Sequence, residues 1–128
     1  MIKILITDKL AKEGIDLINA AEGVEAVVKT GIKEDELAGI IGEYDGLIIR
    51  SDTQVTAKVM SNPGKFRAVA RAGVGVDNID VKEATRRGIL VMNTPGGNTL
   101  SAAEHTMALL MAMSRNVVQA CNSLKSGA

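Results

Sequence analysis

Five short runs of aliphatic and β-branched residues, spaced along the first 92 positions, most constrain what this chain can fold into. They cover residues 2–7, 25–29, 46–49, 68–71 and 89–92, and the segments 11–20, 33–41, 56–61 and 81–87 between them are predicted to be helices. Continuously apolar runs are typical of strands that are covered on both faces. Because parallel strands need crossovers and helices supply them, we predict an α/β fold, a doubly wound five-stranded parallel sheet in the flavodoxin-like order.

The carboxyl-terminal segment is predicted to be one long helix, from about residue 99 to residue 124. Ser101 and Glu104 have the spacing of a capping box near its start. Residues 107–113 include no polar side chain, so this stretch has no face suited to water. We therefore expect the helix to be covered by something beyond its own sheet.

Composition excludes several classes of protein. The 128 residues carry 15 basic and 15 acidic side chains, with one Tyr, one Phe and no Trp, which argues against a nucleic-acid-binding protein. The most apolar stretch is far shorter than the roughly 20 residues that span a bilayer, so no membrane contact is expected. A single cysteine, Cys121, suits a reducing compartment, and we expect a cytoplasmic protein. The six methionines are expected to serve packing rather than a metal site.

A glycine turn at the end of the fourth predicted strand is the first candidate site. Gly73 and Gly75 begin a dinucleotide fingerprint, but Asn78 stands where the third glycine belongs. The amides of residues 74–76 are instead predicted to form a small cup for a carboxylate or similar anion. A plain tight turn fits the same spacing equally well.

Ionisable side chains give few further candidates. Arg50 and Arg71 end the third and fourth predicted strands, where guanidinium groups suit carboxylate or phosphate. His105, the only histidine, is expected to be structural, and Cys121 has no histidine within sequence reach to activate it. We expect no catalytic residue in this chain.

The two longest motifs are LIIRSDTQVT and RAGVGVDNIDVKEATRRGILVMNTPGGNTLSAAEHTMALLMAMSR. With the closing NSLKSGA, they resemble the amino-terminal part of the NAD-dependent D-2-hydroxyacid dehydrogenases. The resemblance covers nearly the whole chain in the family's order and spacing. Arg50-Ser51 points to the branch that acts on 3-phosphoglycerate, which implies a role in serine biosynthesis.

The resemblance also implies roles for particular residues. Arg50 and Ser51 match positions that hold the substrate's phosphate, and Val74 and Gly75 match the turn whose amides hold its carboxylate. Asn98 matches a further substrate contact, and Val74 also matches a residue that touches the nicotinamide of NAD. The family's cofactor fingerprint and its catalytic histidine–glutamate pair match nothing in these residues. The chain alone is therefore expected to be inactive, to need no cofactor and to bind 3-phosphoglycerate weakly.

The resemblance further implies an organisation into a substrate-binding lobe (1–98), an interdomain and dimerisation helix (99–124) and a frayed tail (125–128). A homodimer through the helix is expected, with the helix packed against its mate or exchanged at the hinge 95–97. The alternative is a non-catalytic flavodoxin-like module that binds a small anion or a partner subunit. A phosphoacceptor domain fits poorly, because Asp8 stands without a second acid beside it.

Overall fold

The computed structural model describes residues 1–128 and contains two compact units, Met1–Pro95 and Gly96–Ala128. The strands are β1 (Ile2–Ile6), β2 (Val24–Val28), β3 (Gly46–Ile49), β4 (Ala68–Arg71) and β5 (Leu90–Met92). The helices are α1 (Lys12–Asn19), α2 (Glu34–Ile40), α3 (Val81–Arg86), α4 (Thr99–Ser114) and α5 (Val117–Lys125), and a 3₁₀ turn, Ile41–Glu43, follows α2.

All five strands belong to one parallel sheet in the order β2-β1-β3-β4-β5, which confirms the predicted fold class and flavodoxin-like order. Leu5 of β1 pairs with Leu47 of β3, and Ile49 of β3 pairs with Arg71 of β4. This register brings the carboxyl ends of β1, β3 and β4 to one edge of the sheet. Ligands bind at that edge in open α/β sheets.

The hydrophobic core lies on one face of the three central strands. Leu5, Leu47 and Val69 are fully or almost fully buried there. Each such side chain contributes about 1.5–3 kcal/mol relative to exposure. The side chains packed over the strands come from α2, the turns between β3 and β4, and α3, and include Leu37, Ile41, Val55, Val59, Met60, Phe66 and Ala84.

The predicted helix over residues 56–61 is wrong, because the connection from β3 to β4 is a series of turns. Val55 is drawn into an isolated parallel bridge with Ile79, and Val59 and Met60 are fully buried. Here tertiary pairing of Val55 and the proximity of Pro63 leave too few residues to continue a helix.

Helix α3 begins at Val81, as predicted, and ends at Arg86, one residue before the predicted end. Asp80 is its N-cap residue, and its Oδ1 accepts a hydrogen bond of 3.0 Å from the amide of Glu83. Gly88 lies just beyond the helix in the left-handed region, with φ of +69°.

In the unit Gly96–Ala128, a long carboxyl-terminal helix is present, but it ends at Ser114 rather than continuing to residue 124. Asn116 adopts left-handed angles (φ 50°, ψ 35°) and separates α4 from α5. The capping box does not form, since the Ser101 hydroxyl donates a long hydrogen bond to the Asn98 carbonyl instead. No helix in the chain is both long enough and apolar enough to cross a membrane.

Candidate anion-binding site at the carboxyl edge of the sheet

The segment that follows β3, which we call the 50–53 loop, contains the first two predicted site residues. Arg50, Ser51 and Asp52 are exposed at the carboxyl edge of the sheet, whereas Thr53 is buried. The Ser51 hydroxyl lies 3.4 Å from Asp52 Oδ1, and Arg50 Nη1 makes a long 3.4 Å contact with the Lys9 carbonyl. The side chain of Arg50 is otherwise free for a ligand.

Asp8, at the end of β1, holds the 50–53 loop from inside the sheet. Its Oδ2 accepts hydrogen bonds from the amides of Arg50 (2.6 Å), Asp52 (3.3 Å) and Thr53 (3.2 Å). Its Oδ1 accepts a further hydrogen bond of 2.5 Å from the Thr53 hydroxyl. The buried carboxylate therefore occupies these three amides. A bound anion is left with the Ser51 amide, which has no acceptor in the structure, and the exposed side chains.

Asn78 holds the same loop from the other side. Its side chain is buried, and Nδ2 donates to the carbonyls of Arg50 (2.8 Å) and Thr53 (2.7 Å). Its backbone carbonyl accepts a bond of 2.8 Å from the Val55 amide. Asn78 Oδ1 is buried and has no hydrogen-bond partner. Such unpaired buried atoms are uncommon in native proteins.

The glycine turn after β4 folds around the side chain of Arg71, which is only 14% exposed. Arg71 Nη1 lies 2.6 Å from Asp77 Oδ1, and this hydrogen bond holds the pKa of Asp77 below its usual range. A Cβ added to Gly75 would lie 3.1 Å from Arg71 Nη1 and 3.0 Å from Asp77 Oδ1. A side chain at position 75 would therefore crowd the ion pair, whose side-chain ends would have to shift. Arg71 supports the turn instead of facing a ligand beside Arg50.

The amides of Val74, Gly75 and Val76 donate no hydrogen bond in the structure. The turn itself is fixed by the segment after β5. The Thr94 amide donates to the Gly73 carbonyl (2.9 Å), and Asn93 Nδ2 donates to the Val74 carbonyl (2.8 Å). Val74 is 42% exposed. Unpaired amides in a fixed turn can bind an anion, and the predicted role of this turn as an anion cup stays a prediction.

The remaining candidates lie in the second unit. Asn98 precedes α4 and its side chain forms no capping bond, so its role as a substrate contact stays a prediction. His105 lies exposed on α4, and Cys121 is exposed and free on α5. No group of three His, Cys, Asp or Glu side chains is placed to hold a metal ion.

The residues near the glycine turn do not fit the pyrophosphate of a dinucleotide such as NAD. That group normally rests on the N-terminus of a helix that directly follows the glycines. Here α3 begins only at Val81, and its N-terminus is already capped by the Asp80 carboxylate. The buried side chain of Asn78 fills the position of the third glycine.

The sequence matches the family model described as "D-isomer specific 2-hydroxyacid dehydrogenase, catalytic domain" over residues 4–128. This chain belongs to that family. The resemblance noted in the sequence is thereby confirmed.

Curated relatives in the family include D-3-phosphoglycerate dehydrogenases. The chain is 46% identical to that of Synechocystis sp. over 125 residues, which are 98% of this chain and 22% of the relative. It is 44% identical to that of Archaeoglobus fulgidus over 98% of this chain and 24% of the relative. The chain thus spans less than a quarter of the length of these two relatives.

Solved structures show the same fold. A protein from Thermus thermophilus superposes with a TM-score of 0.86 and 32% identity, over 98% of this chain and 41% of that one. NAD⁺-bound 3-phosphoglycerate dehydrogenase from Entamoeba histolytica gives a TM-score of 0.76 and 30% identity, over 87% of this chain and 38% of that one.

The local sequence does not indicate that Asp8 and Asn78 support this site. In the sequence, Asp8 is an isolated acid after the first strand, and Asn78 is a departure from the glycine fingerprint. Their partners lie 25–45 residues away in the chain, so local spacing carries no signal of these bonds.

Proposed function

We propose that this chain is the substrate-binding part of an NAD-dependent dehydrogenase of D-3-phosphoglycerate, acting in serine biosynthesis in the cytoplasm. The observation that carries the proposal is a set of unoccupied anion donors at one edge of the sheet. They are the Arg50 side chain, the Ser51 amide and the amides of residues 74–76. The curated relatives that act on this substrate, by their names, supply its identity.

In this proposal Arg50 and Ser51 bind the phosphate of the substrate, and the amides of Val74 and Gly75 bind its carboxylate. Asp52 stands beside the phosphate position, and its charge opposes an anion there. Asn98 adds a substrate contact, and Val74 packs against the nicotinamide. Hydride transfer requires a bound nicotinamide and a general base, and these residues supply neither. The chain by itself therefore forms no NADH from 3-phosphoglycerate.

The organisation that goes with this function is a substrate-binding lobe (1–98), an interdomain and dimerisation helical segment (99–124) and a tail (125–128). The protein forms a homodimer through that segment. The exposed apolar side chains of α4, among them Met107, Leu110 and Met113, support this part of the proposal.

The substrate site is tested by titrating the isotopically labelled chain with 3-phosphoglycerate and following its amide NMR signals. We expect binding on the order of millimolar, with shifts at Ser51, Val74, Gly75 and Asn98. Arg50→Ala removes charge-assisted hydrogen bonds worth about 1.5–3 kcal/mol and should weaken binding about tenfold or more.

Arg67→Ala is the matched control. Arg67 is an exposed arginine that immediately precedes β4, at the opposite edge of the sheet, and it has no ion-pair partner. Equal effects of the two substitutions, or shifts confined to surface lysines, would show that the site is not where we place it.

The exposed apolar face of α4 also favours a second candidate, a non-catalytic flavodoxin-like module that binds a small anion or a partner subunit. Such a module has no reason to prefer 3-phosphoglycerate over inorganic phosphate. A clear preference for the two-ended substrate distinguishes the dehydrogenase from this alternative.

A further inference from the structure

The Asn78 carboxamide connects the two segments that carry the anion donors. Its Nδ2 lies within 2.7–2.8 Å of two carbonyls of the 50–53 loop, those of Arg50 and Thr53. Asn78 itself belongs to the segment that leaves the glycine turn, three residues after Gly75. Of the hydrogen bonds in the structure, only the two made by this side chain join the backbone of the 50–53 loop to that segment.

The orientation of the carboxamide follows from its neighbours. Two carbonyl oxygens face the same side-chain atom, and only the NH₂ group has two protons to give them. The opposite atom, Oδ1, is buried without a partner. The position thus leaves one buried acceptor unpaired while both donors of the amide are used.

Backbone hydrogen bonds also hold the segment around Asn78 next to Val55, independently of the Asn78 side chain. The Val55 amide donates to the Asn78 carbonyl (2.8 Å), and the Asp80 amide donates to the Val55 carbonyl (2.9 Å). These bonds anchor Val55, two residues beyond the 50–53 loop. On its other side the loop keeps its hydrogen bonds to Asp8. Removing the carboxamide is therefore expected to preserve the fold and to loosen only the link between the 50–53 loop and the glycine turn.

We infer that Asn78 is a positioning residue that fixes the spacing between the two anion-binding ends of the site and so selects a two-ended anion of matching length. This inference rests on the proposed function, in which phosphate binds at Arg50 and Ser51 and carboxylate at Val74 and Gly75. Once the phosphate of a ligand is bound, its carboxylate is presented to the glycine turn at a high effective concentration. That concentration is highest when the distance between the two sets of donors is fixed at the length of the ligand. Loosening the loop lowers that advantage without removing a donor from either end.

The test compares three probes on the 128-residue chain: 3-phosphoglycerate, inorganic phosphate and D-glycerate. The first carries both ends of the substrate, and the other two carry one end each. Dissociation constants are measured from the amide shifts of Ser51 and Gly75. For Asn78→Ala, we expect affinities for phosphate and glycerate within about twofold of the original and an affinity for 3-phosphoglycerate about tenfold lower.

Asn78→Ser keeps one donor on a smaller side chain, so its affinity for 3-phosphoglycerate should lie between those of the unmodified chain and Asn78→Ala. It replaces Asn78→Ala in the test if that variant does not fold. Asn19→Ala is the matched control. It removes a side-chain acceptor for the Ala26 amide (3.1 Å), away from the site, and should change none of the three affinities.

Three results would overturn the inference. If both Asn78 variants keep the full preference for 3-phosphoglycerate, the side chain does not set the spacing. If all three probes weaken in parallel, Asn78 supports the fold in general. If the unmodified chain binds 3-phosphoglycerate no better than phosphate, the proposed function itself fails, and the positioning role fails with it.

Discussion

Gly64 packs against Gly42 so closely that a side chain on Gly64 has no space. A Cβ built there would lie 2.6 Å from the Gly42 carbonyl oxygen and 2.8 Å from its Cα, and Gly64 has a φ of +50°. Gly64→Ala should combine left-handed strain with a backbone clash and lower the free energy of unfolding by about 3 kcal/mol. Urea unfolding monitored by circular dichroism measures the loss.

Gly23→Ala separates the two causes. Gly23 has a φ of +76°, but nothing lies within 4 Å of its added Cβ. The free energy of unfolding of Gly23→Ala should therefore fall only by the cost of the left-handed conformation, about 1 kcal/mol. Similar losses at the two positions would mean that the contact with Gly42 is not as tight as the structure has it.

Glu83 is paired with two cations, and this pairing makes part of the stability depend on pH. Its carboxylate accepts hydrogen bonds from Arg86 and Arg87, which lower its pKa from 4.5 to about 2. A lowered pKa in the folded state contributes stability that is complete above the unfolded pKa and is lost as the pH falls through the folded one. The urea midpoint should therefore fall between pH 4.5 and pH 2, and Glu83→Gln should reduce that fall.

Glu22→Gln removes the same charge from an exposed side chain that has no ion-pair partner in the structure. We expect it to leave the acid dependence of the urea midpoint nearly unchanged. The same loss of acid dependence in both variants would assign the effect to net charge rather than to the Glu83 pairs.

At the scale of single residues, the sequence indicated the candidate anion-binding residues but not the residues that hold them in place. Arg50, Ser51, Val74 and Gly75 were named because they end strands, occupy a glycine turn or match family positions. Asp8 contributes through amides 42–45 residues away, which no local pattern shows. The amides of the glycine turn are unpaired in the structure, and the anion cup stays a prediction.

At the scale of elements, strands were predicted more accurately than helices. The bounds of β3 and β4 were predicted to the residue, because buried parallel strands are uninterrupted apolar runs between polar ends. The false helix over 56–61 arose because Val55, Val59 and Met60 face the core at helix-like spacing. Pairing of Val55 with Ile79, a long-range contact, decided the conformation there.

The break between α4 and α5 was not predicted from the sequence. No Gly or Pro lies near Asn116 in the sequence. Asparagine can adopt left-handed angles, but its presence alone does not predict a break in a helix. Asn116→Ala should raise the cost of the left-handed residue by about 1 kcal/mol and improve helix propensity. In this variant we expect positions 115 and 116 to become helical and join the two helices, as measured by Cα secondary shifts.

Asn116→Gly is the opposite change, since glycine adopts left-handed angles freely and is a poor helix former. It should preserve the break and leave the shifts of positions 115 and 116 non-helical. Helical shifts at these positions in the unmodified chain, equal to those of the alanine variant, would contradict the break.

At the scale of the whole molecule, the two units differ in how they bury apolar surface. The unit Met1–Pro95 contains the entire hydrophobic core, whereas no residue of α4 or α5 is buried. Each large apolar side chain of α4 is more than half exposed in the chain by itself: Leu100, Met107, Leu109, Leu110, Met111 and Met113. A short helical pair with this composition has too little burial to be stable without a covering surface.

A second copy of the chain is the cover we propose, because a two-fold contact lets one apolar face bury itself against its equal. Each large side chain fully covered in this way contributes about 1.5–3 kcal/mol, and several from both copies together are needed to offset the cost of association and hold a dimer at micromolar concentration. Sedimentation should show this dimer whether the helices pack against their mates or are exchanged at the hinge 95–97. Leu110→Glu and Met113→Glu should dissociate or precipitate it, while Gln119→Glu, which adds the same charge at an exposed polar position of α5, should not. A monomer that tolerates all three substitutions would show that α4 is covered within its own chain.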